Sequence, residues 1–116
     1  LTMRKVTGRV LERHNFEVSV ARDGVEALER LEERVPDLML LDIEMPRMDG
    51  YELATTMKAD PRFKDVPIVM ITSRTGDKHR QRAFDIGVQR YLGKPYQELD
   101  LMRNVYDLLG IARVRG

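Results

Sequence analysis

Residues 36–50 have the sequence Pro-Asp-Leu-Met-Leu-Leu-Asp-Ile-Glu-Met-Pro-Arg-Met-Asp-Gly, and this segment decides the fold and holds the candidate chemistry. Its apolar run, Leu38–Leu41, is bounded by turn-forming residues, a pattern typical of a strand buried on both faces of a sheet. Asp42 follows directly, so a carboxylate ends an interior strand, where open α/β sheets have their ligand crevices. Glu44 and Asp49 come soon after. Three carboxylates near one strand end indicate a cation site, or a phosphate chemistry that needs a cation.

Asp42 also has a simpler interpretation. An aspartate at a strand-to-loop junction often serves only as a turn former that accepts local backbone hydrogen bonds. The segment alone leaves both interpretations open, and the rest of the chain has to distinguish them.

The length and composition are typical of one domain and exclude several classes of function. A length of 116 residues suits a single domain, residues 1–116, with one hydrophobic core. A net charge of +1 gives no electrostatic reason to expect nucleic acid or an anionic membrane as the partner. The absence of cysteine excludes disulfides and thiolate metal sites. Without an apolar run near the ~20 residues of a membrane span, and without a signal-peptide pattern, we expect a cytoplasmic protein.

Helix and strand patterns alternate along the whole chain. Helical periodicity predicts helices at residues 2–15, 25–34, 50–60, 77–86 and 99–109. Short apolar or alternating runs predict strands at residues 16–21, 38–42, 66–72 and 88–92. Strict alternation predicts an α/β fold, with a parallel sheet, right-handed crossovers and helices on both faces.

Polar side chains end three of the predicted strands. Asp42 ends one, Thr72 ends the next, and Lys94 follows the last. Because parallel strands end on the same side of a sheet, we expect the three side chains to converge at one edge. A phosphoryl group on the carboxylate would explain all three: Asp42 as the nucleophile, magnesium (Mg²⁺) neutralising the transferred oxygens, and Thr72 and Lys94 holding the oxygens of the product.

With these residues in view, the chain resembles the receiver domain of bacterial two-component response regulators. The residues that carry the resemblance are Asp42, Met45-Pro46, Met48-Asp49-Gly50, Thr72-Ser73, Tyr91 and Lys94-Pro95. The resemblance implies a flavodoxin-like doubly wound parallel sheet. It also implies that Asp42 accepts a phosphoryl group from a histidine kinase or phosphotransfer domain, and that Asp42 and the backbone carbonyl of Glu44 bind Mg²⁺.

The same resemblance implies a switch. Thr72 would move toward the phosphoryl group and let Tyr91 swing inward, which alters the face of the last strand and last helices that binds a downstream protein. Lys94 would pair with the phosphoryl group across a cis bond to Pro95, and such a bond is possible before any proline. Without the resemblance, Tyr91 would be interpreted as a strand aromatic packed in the core.

The chain departs from the family at its amino terminus. Family members begin with an apolar strand that ends in two adjacent acidic residues, and the printed chain shows neither. That strand would be worth roughly 8–15 kcal/mol of burial, as much as the ~5–15 kcal/mol that stabilises a whole domain. We therefore expect that residues before Leu1 supply the first central strand or that a partner chain fills the gap, for example in a strand-swapped dimer.

Two charged residues flank the expected phosphorylation site. Glu44 lies two residues after the acceptor and Arg74 two residues after the hydroxyl. We expect their opposite charges to pair across the site and to hinder an attacking water. Removal of the Arg74 side chain would then shorten the lifetime of the phosphorylated form.

Other functions compete with a phosphoacceptor that catalyses only its own phosphorylation and dephosphorylation. A small phosphatase would place a second Asp where this chain has Glu44, and would need a substrate-cap domain. A degenerate receiver would bind a partner protein without being phosphorylated. A flavodoxin-like nucleotide binder would need a Gly-rich phosphate loop, which the chain lacks. The segments Leu1–Lys5, Glu17-Val18 and Ala21–Gly24 also resemble receivers at the carboxyl end of chemotaxis-type hybrid kinases.

Overall fold

A parallel sheet lies at the centre of the computed structural model, which describes residues 5–43, 48–74 and 76–110. Within these residues the sheet has three strands in the order β1-β2-β3, and all neighbours are parallel. The strands are β1 (Met39–Asp42), β2 (Ile68–Thr72) and β3 (Arg90–Gly93). The prediction of an α/β fold with a parallel sheet is confirmed.

All five predicted helices form, and the helix ends that lie within the described residues differ from the prediction by at most two residues. They are α1 (Lys5–Arg13), α2 (Gly24–Glu33), α3 (Gly50–Ala59), α4 (Asp77–Ile86) and α5 (Glu98–Leu109). The side chains of Asp23 and Asp49 cap α2 and α3 by accepting backbone N–H groups of the first turn. Among the described residues no helix is both long and apolar enough to cross a bilayer.

The helices cover both faces of the sheet. Side chains alternate along β1, so Met39 and Leu41 pack on one face and Leu40 on the other. The first face is covered by α2, α3 and α4, and the second by α1 and α5. A strand buried on both faces has apolar residues at every position, which explains the continuous apolar run before Asp42.

The predicted strand at residues 16–21 is wrong. The burial of this segment does alternate, with Phe16 and Val18 half-buried and Glu17 and Ser19 exposed. No strand forms there, however, because a strand requires a neighbour for its backbone hydrogen bonds. None of the described strands pairs with the segment.

Candidate functional site

The carboxyl edge of the sheet brings together the three side chains that end its strands. Asp42 is the last residue of β1, Thr72 is the last of β2, and Lys94 directly follows β3. The backbone N–H of Lys94 donates to the carbonyl of Thr72 at 2.8 Å, which extends the pairing of β2 and β3 beyond the strand end. The convergence expected from the sequence is therefore present.

Lys94 and Asp42 form an ion pair across this edge. The Lys94 Nζ donates to Asp42 Oδ2 at 2.6 Å, and the two side chains are 25% and 14% exposed. Since β2 lies between β1 and β3, the lysine reaches across the end of β2 to the carboxylate. A charge-assisted hydrogen bond of this length holds the ammonium where further negative charge on Asp42 would accumulate.

Thr72 lies at the centre of the same edge and is fully buried. Its Oγ1 accepts a hydrogen bond from the backbone N–H of Arg74 at 3.0 Å. Its hydroxyl therefore anchors the loop that leaves β2, while its carbonyl holds the backbone of Lys94. Any movement of this hydroxyl would act on that loop.

Tyr91 of β3 is tied to the same loop. Its hydroxyl donates to the backbone carbonyl of Arg74. Its ring lies beside Phe84 of α4, with 6.5 Å between ring centroids, and packs against the core on that face. Tyr91 thus packs in the core, as its place in a predicted strand suggests, and also makes a polar contact that the sequence does not reveal. Arg74 joins the two candidate switch residues, since its N–H bonds Thr72 and its carbonyl bonds Tyr91.

Gly50 holds the backbone of Asp42 in place from the other side. Its N–H donates to the carbonyl of Ile43 at 3.0 Å. A Cβ at this position would lie 2.7 Å from the carbonyl oxygen of Asp42, so only glycine fits. The sequence does not reveal this contact, because the distance depends on the packing of α3 against the end of β1.

Asp42 and Asp49, the two described carboxylates of the predicted cation site, have separate positions. Asp42 lies at the sheet edge, whereas Asp49 caps α3 by accepting the backbone N–H of Glu52 at 2.9 Å. Glu44 lies outside the described residues, and so does its expected pairing with Arg74. The described residues contain no group of three metal-ligating side chains. Because the predicted group of three carboxylates includes Glu44, it stays a prediction.

Asp42 still fits a magnesium site. Mg²⁺ prefers hard oxygen ligands, and proteins bind it through one or two carboxylates together with waters and phosphate oxygens. The carboxylate at the end of β1 is such a ligand. Among the described residues, Asp42 supplies one oxygen ligand of such a site.

The peptide bond between Lys94 and Pro95 is cis, as the sequence allowed. It occurs where the chain leaves β3 and turns toward α5. The lysine that pairs with Asp42 therefore lies directly before this turn.

Comparisons with known proteins agree with this geometry. Residues 1–106 match the family described as response regulator receiver domain. Sensor histidine kinase CheAY of Helicobacter pylori is 36% identical over 82% of the chain, which spans 12% of that protein's length. Chemotaxis protein CheY1 of H. pylori is 37% identical, with 94% of the chain and 90% of that protein covered.

A solved structure shows the same architecture. The receiver domain of sensor histidine kinase PA1611 from Pseudomonas aeruginosa is 27% identical to the chain, with a TM-score of 0.83. The match covers 90% of the chain and 86% of that receiver domain. That protein has a magnesium ion coordinated in its active-site cleft. The receiver fold expected from the sequence is confirmed. The chain belongs to the response regulator receiver domain family of two-component signalling.

Proposed function

We propose that the chain is a phosphoacceptor signalling module whose acceptor is Asp42. The observation that carries this proposal is the 2.6 Å ion pair between Lys94 and Asp42 at the carboxyl edge of the sheet. A carboxylate in this position is within reach of solvent, is held in one orientation, and has a cation beside it that would offset the charge of a phosphoryl group. The turn-former interpretation of Asp42 explains none of these features.

The donor we propose is the phosphohistidine of a histidine kinase or a phosphotransfer domain. One carboxylate oxygen of Asp42 attacks phosphorus and forms a P–O bond, while the P–N bond breaks and its electron pair returns to the imidazole nitrogen. Lys94 and the Thr72 hydroxyl then hold phosphoryl oxygens. Asp42 and the backbone carbonyl of Glu44 would hold Mg²⁺, which when bound neutralises charge on the transferring group. Similarity to CheAY and CheY1 supports a chemotaxis-type donor.

The loop at Arg74 couples phosphorylation to the protein-binding face. If the Thr72 hydroxyl turns toward a phosphoryl group, it gives up the N–H of Arg74 and so disturbs the carbonyl that Tyr91 binds. Tyr91 lies in β3 beside α4, where Phe84 is 40% exposed, and Leu99 on α5 is 57% exposed. We assign the downstream partner to this face of β3, α4 and α5, and no catalysis beyond the domain's own phosphorylation and dephosphorylation.

Uptake of phosphoryl groups from acetyl phosphate with Mg²⁺ tests this proposal. We expect the protein to gain one phosphoryl group by intact mass, and Asp42→Asn to gain none. Asp49→Asn is the matched control, because asparagine caps a helix as well as aspartate does and the same charge is removed nearby. A degenerate receiver would leave the unaltered protein unlabelled, and labelling of Asp42→Asn would contradict the assignment of the acceptor.

A second pair of variants tests the role of the lysine. Lys94→Met should slow labelling by about 100-fold, the usual cost of removing one preorganised group that stabilises developing charge. Lys58→Met is the control. The Lys58 ammonium binds the carbonyls of Lys64 and Val66, which lie before the amino end of β2 and so at the opposite edge of the sheet. Equal rates in the two variants would show that Lys94 does not act on the transferred group.

A further inference from the structure

Tyr51, the residue after Gly50, joins α3 to α4. It is 1% exposed, and its hydroxyl donates to the backbone carbonyl of His79, in the first turn of α4, at 3.0 Å. The guanidinium of Arg82 lies over the same tyrosine ring, 4.1 Å from the ring centroid. Tyr51 therefore contacts two successive turns of α4, once through a hydrogen bond and once through a cation–π contact.

α4 packs much less closely than α3. Within α4, which is described from Asp77 to Ile86, only Ala83 is buried. The buried residues of α3 are Gly50, Tyr51, Leu53, Ala54 and Met57. The amino end of α4 is also weakly fixed, because its N-cap is Gly76, which makes no side-chain hydrogen bond. α3 is therefore the firmly packed helix of the two, and contacts with its neighbours determine the position of α4.

Three consecutive residues connect α4 to its surroundings. Arg82 lies over Tyr51 of α3, and Ala83 is buried in the core. Phe84 lies beside Tyr91 of β3. Successive side chains of a helix point ~100° apart, so the side chains of Arg82 and Phe84 point to nearly opposite sides of α4. The two tyrosines thus contact opposite sides of one helix.

The two sides of α4 differ in how they connect to the phosphoacceptor site. On the β3 side, Tyr91 binds the carbonyl of Arg74, in the loop that the proposed switch disturbs. On the α3 side, Tyr51 follows Gly50, which packs so closely on the backbone of Asp42 that no Cβ fits between them. The first connection changes when the loop moves, whereas the second is fixed by backbone packing.

We propose that Tyr51 is the pivot of the switch. The inference rests on the proposed function, in which phosphorylation of Asp42 loosens the Tyr91 side of α4. Because Tyr51 holds the opposite side of α4 to α3, the helix turns about the Tyr51 contact and is not released from the domain. The Phe84 side of α4, which belongs to the partner-binding face, moves most, and the Arg82 side keeps its place.

Fluorine NMR of the protein labelled with 3-fluorotyrosine tests the pivot. The chain has four tyrosines, and replacement of each by phenylalanine assigns its resonance. After treatment with acetyl phosphate and Mg²⁺, we expect the Tyr91 resonance to shift and the Tyr51 resonance to keep its chemical shift. A Tyr51 shift as large as that of Tyr91 would overturn the proposal, and so would the absence of any shift at Tyr91.

Intact mass, measured on the same sample, distinguishes the two ways in which the pivot can fail. If the protein gains no phosphoryl group, the proposed function fails and the pivot fails with it. If it gains one phosphoryl group and the tyrosine resonances do not behave as expected, the pivot alone is wrong.

A matched pair of variants tests whether Tyr51 holds α4. Tyr51→Phe removes the hydrogen bond to His79 and should speed amide hydrogen exchange in α4 about fivefold, the effect of one hydrogen bond on a local opening equilibrium. Tyr106→Phe is the control, because its hydroxyl contacts His14 Nδ1 at 3.1 Å and belongs to the opposite face of the sheet. Equal exchange of the α4 amides in the two variants would overturn the proposal.

The cation–π contact provides the same readout if Tyr51→Phe does not fold. Arg82→Met removes the cation over the ring, keeps a good helix former, and should speed exchange in α4 about two- to fivefold. Arg80→Met removes the same charge from an exposed position of α4 and should leave the exchange unchanged. Equal exchange in Arg82→Met and Arg80→Met would show that the Tyr51 ring does not hold α4 through Arg82, which contradicts the proposed pivot.

Discussion

Replacement of Gly50 by alanine should damage both the fold and the phosphoacceptor site. The new Cβ would lie 2.7 Å from the Asp42 carbonyl oxygen and 2.8 Å from Ile43 Cα, whereas ordinary contact begins at 3.4 Å. Both neighbours are backbone atoms and cannot rotate away, so the end of β1 or the start of α3 must shift. Overpacking of this kind costs up to ~3 kcal/mol, and the lower entropy of the unfolded alanine chain returns ~0.4–1 kcal/mol. We expect a net loss of about 2 kcal/mol.

Thermal and urea unfolding measure this loss, and acetyl phosphate labelling measures its effect on Asp42. A loss of about 2 kcal/mol lowers the Tm by roughly 8 °C in a domain of this size. Displacement of Asp42 relative to Lys94 should slow labelling at least ~10-fold, because small misplacements of reacting groups are costly. Gly76→Ala is the control, since its Cβ would meet nothing closer than 3.7 Å. Unchanged Tm and labelling in Gly50→Ala would show that the contact between α3 and the end of β1 tolerates the added methyl group.

Three further predictions concern stability. Lys94→Met removes a partly exposed ion pair. It should lower the free energy of unfolding by about 1–3 kcal/mol, a value between those typical of surface and of buried ion pairs. An unchanged urea midpoint would contradict this expectation. Tyr91→Phe removes the hydrogen bond to Arg74 and should cost about 0.5–1.5 kcal/mol while labelling continues at the normal rate; abolished labelling would show that Tyr91 acts on the acceptor itself. The guanidinium and then the backbone N–H of Arg62 hold the pKa of Asp60 below its usual 3.8. The stability from this contact is therefore fully present above about pH 4 and is lost as the pH falls through the lower folded pKa. Asp60→Asn should make the urea midpoint fall less steeply below about pH 4 than it does in the unaltered protein. An equal pH dependence of the urea midpoint in the two proteins would contradict a contribution of this contact to stability.

Asp42, Thr72 and Lys94, three of the site residues that the sequence predicted, share one property, which is their position at strand ends. Asp42 and Thr72 each follow a run that is apolar at every position, and such runs identify interior strands without knowledge of the fold. Parallel pairing then places the ends on one edge by geometry alone. This is why the 2.6 Å contact between Asp42 and Lys94, residues distant in sequence, could be anticipated.

The features that the sequence did not predict depend on partners elsewhere in the chain. The pattern at residues 16–21 has the alternation of a strand, but alternation records only which side chains are buried, and a strand also requires a neighbour. Arg74 serves the site through its backbone N–H and carbonyl, which no side-chain pattern reports. Asp49 was recoverable, because an aspartate followed three residues later by Glu52 is the signature of a helix start.

Reductive trapping of the phosphorylated residue identifies the acceptor by its chemistry. After treatment with acetyl phosphate and Mg²⁺, borohydride cleaves an aspartyl phosphate by hydride addition, releasing phosphate and leaving homoserine, which peptide mass spectrometry locates. We expect homoserine at position 42 and at no other aspartate position. Homoserine at another position, or a phosphoryl group that survives borohydride on Thr72 or Ser73, would contradict it.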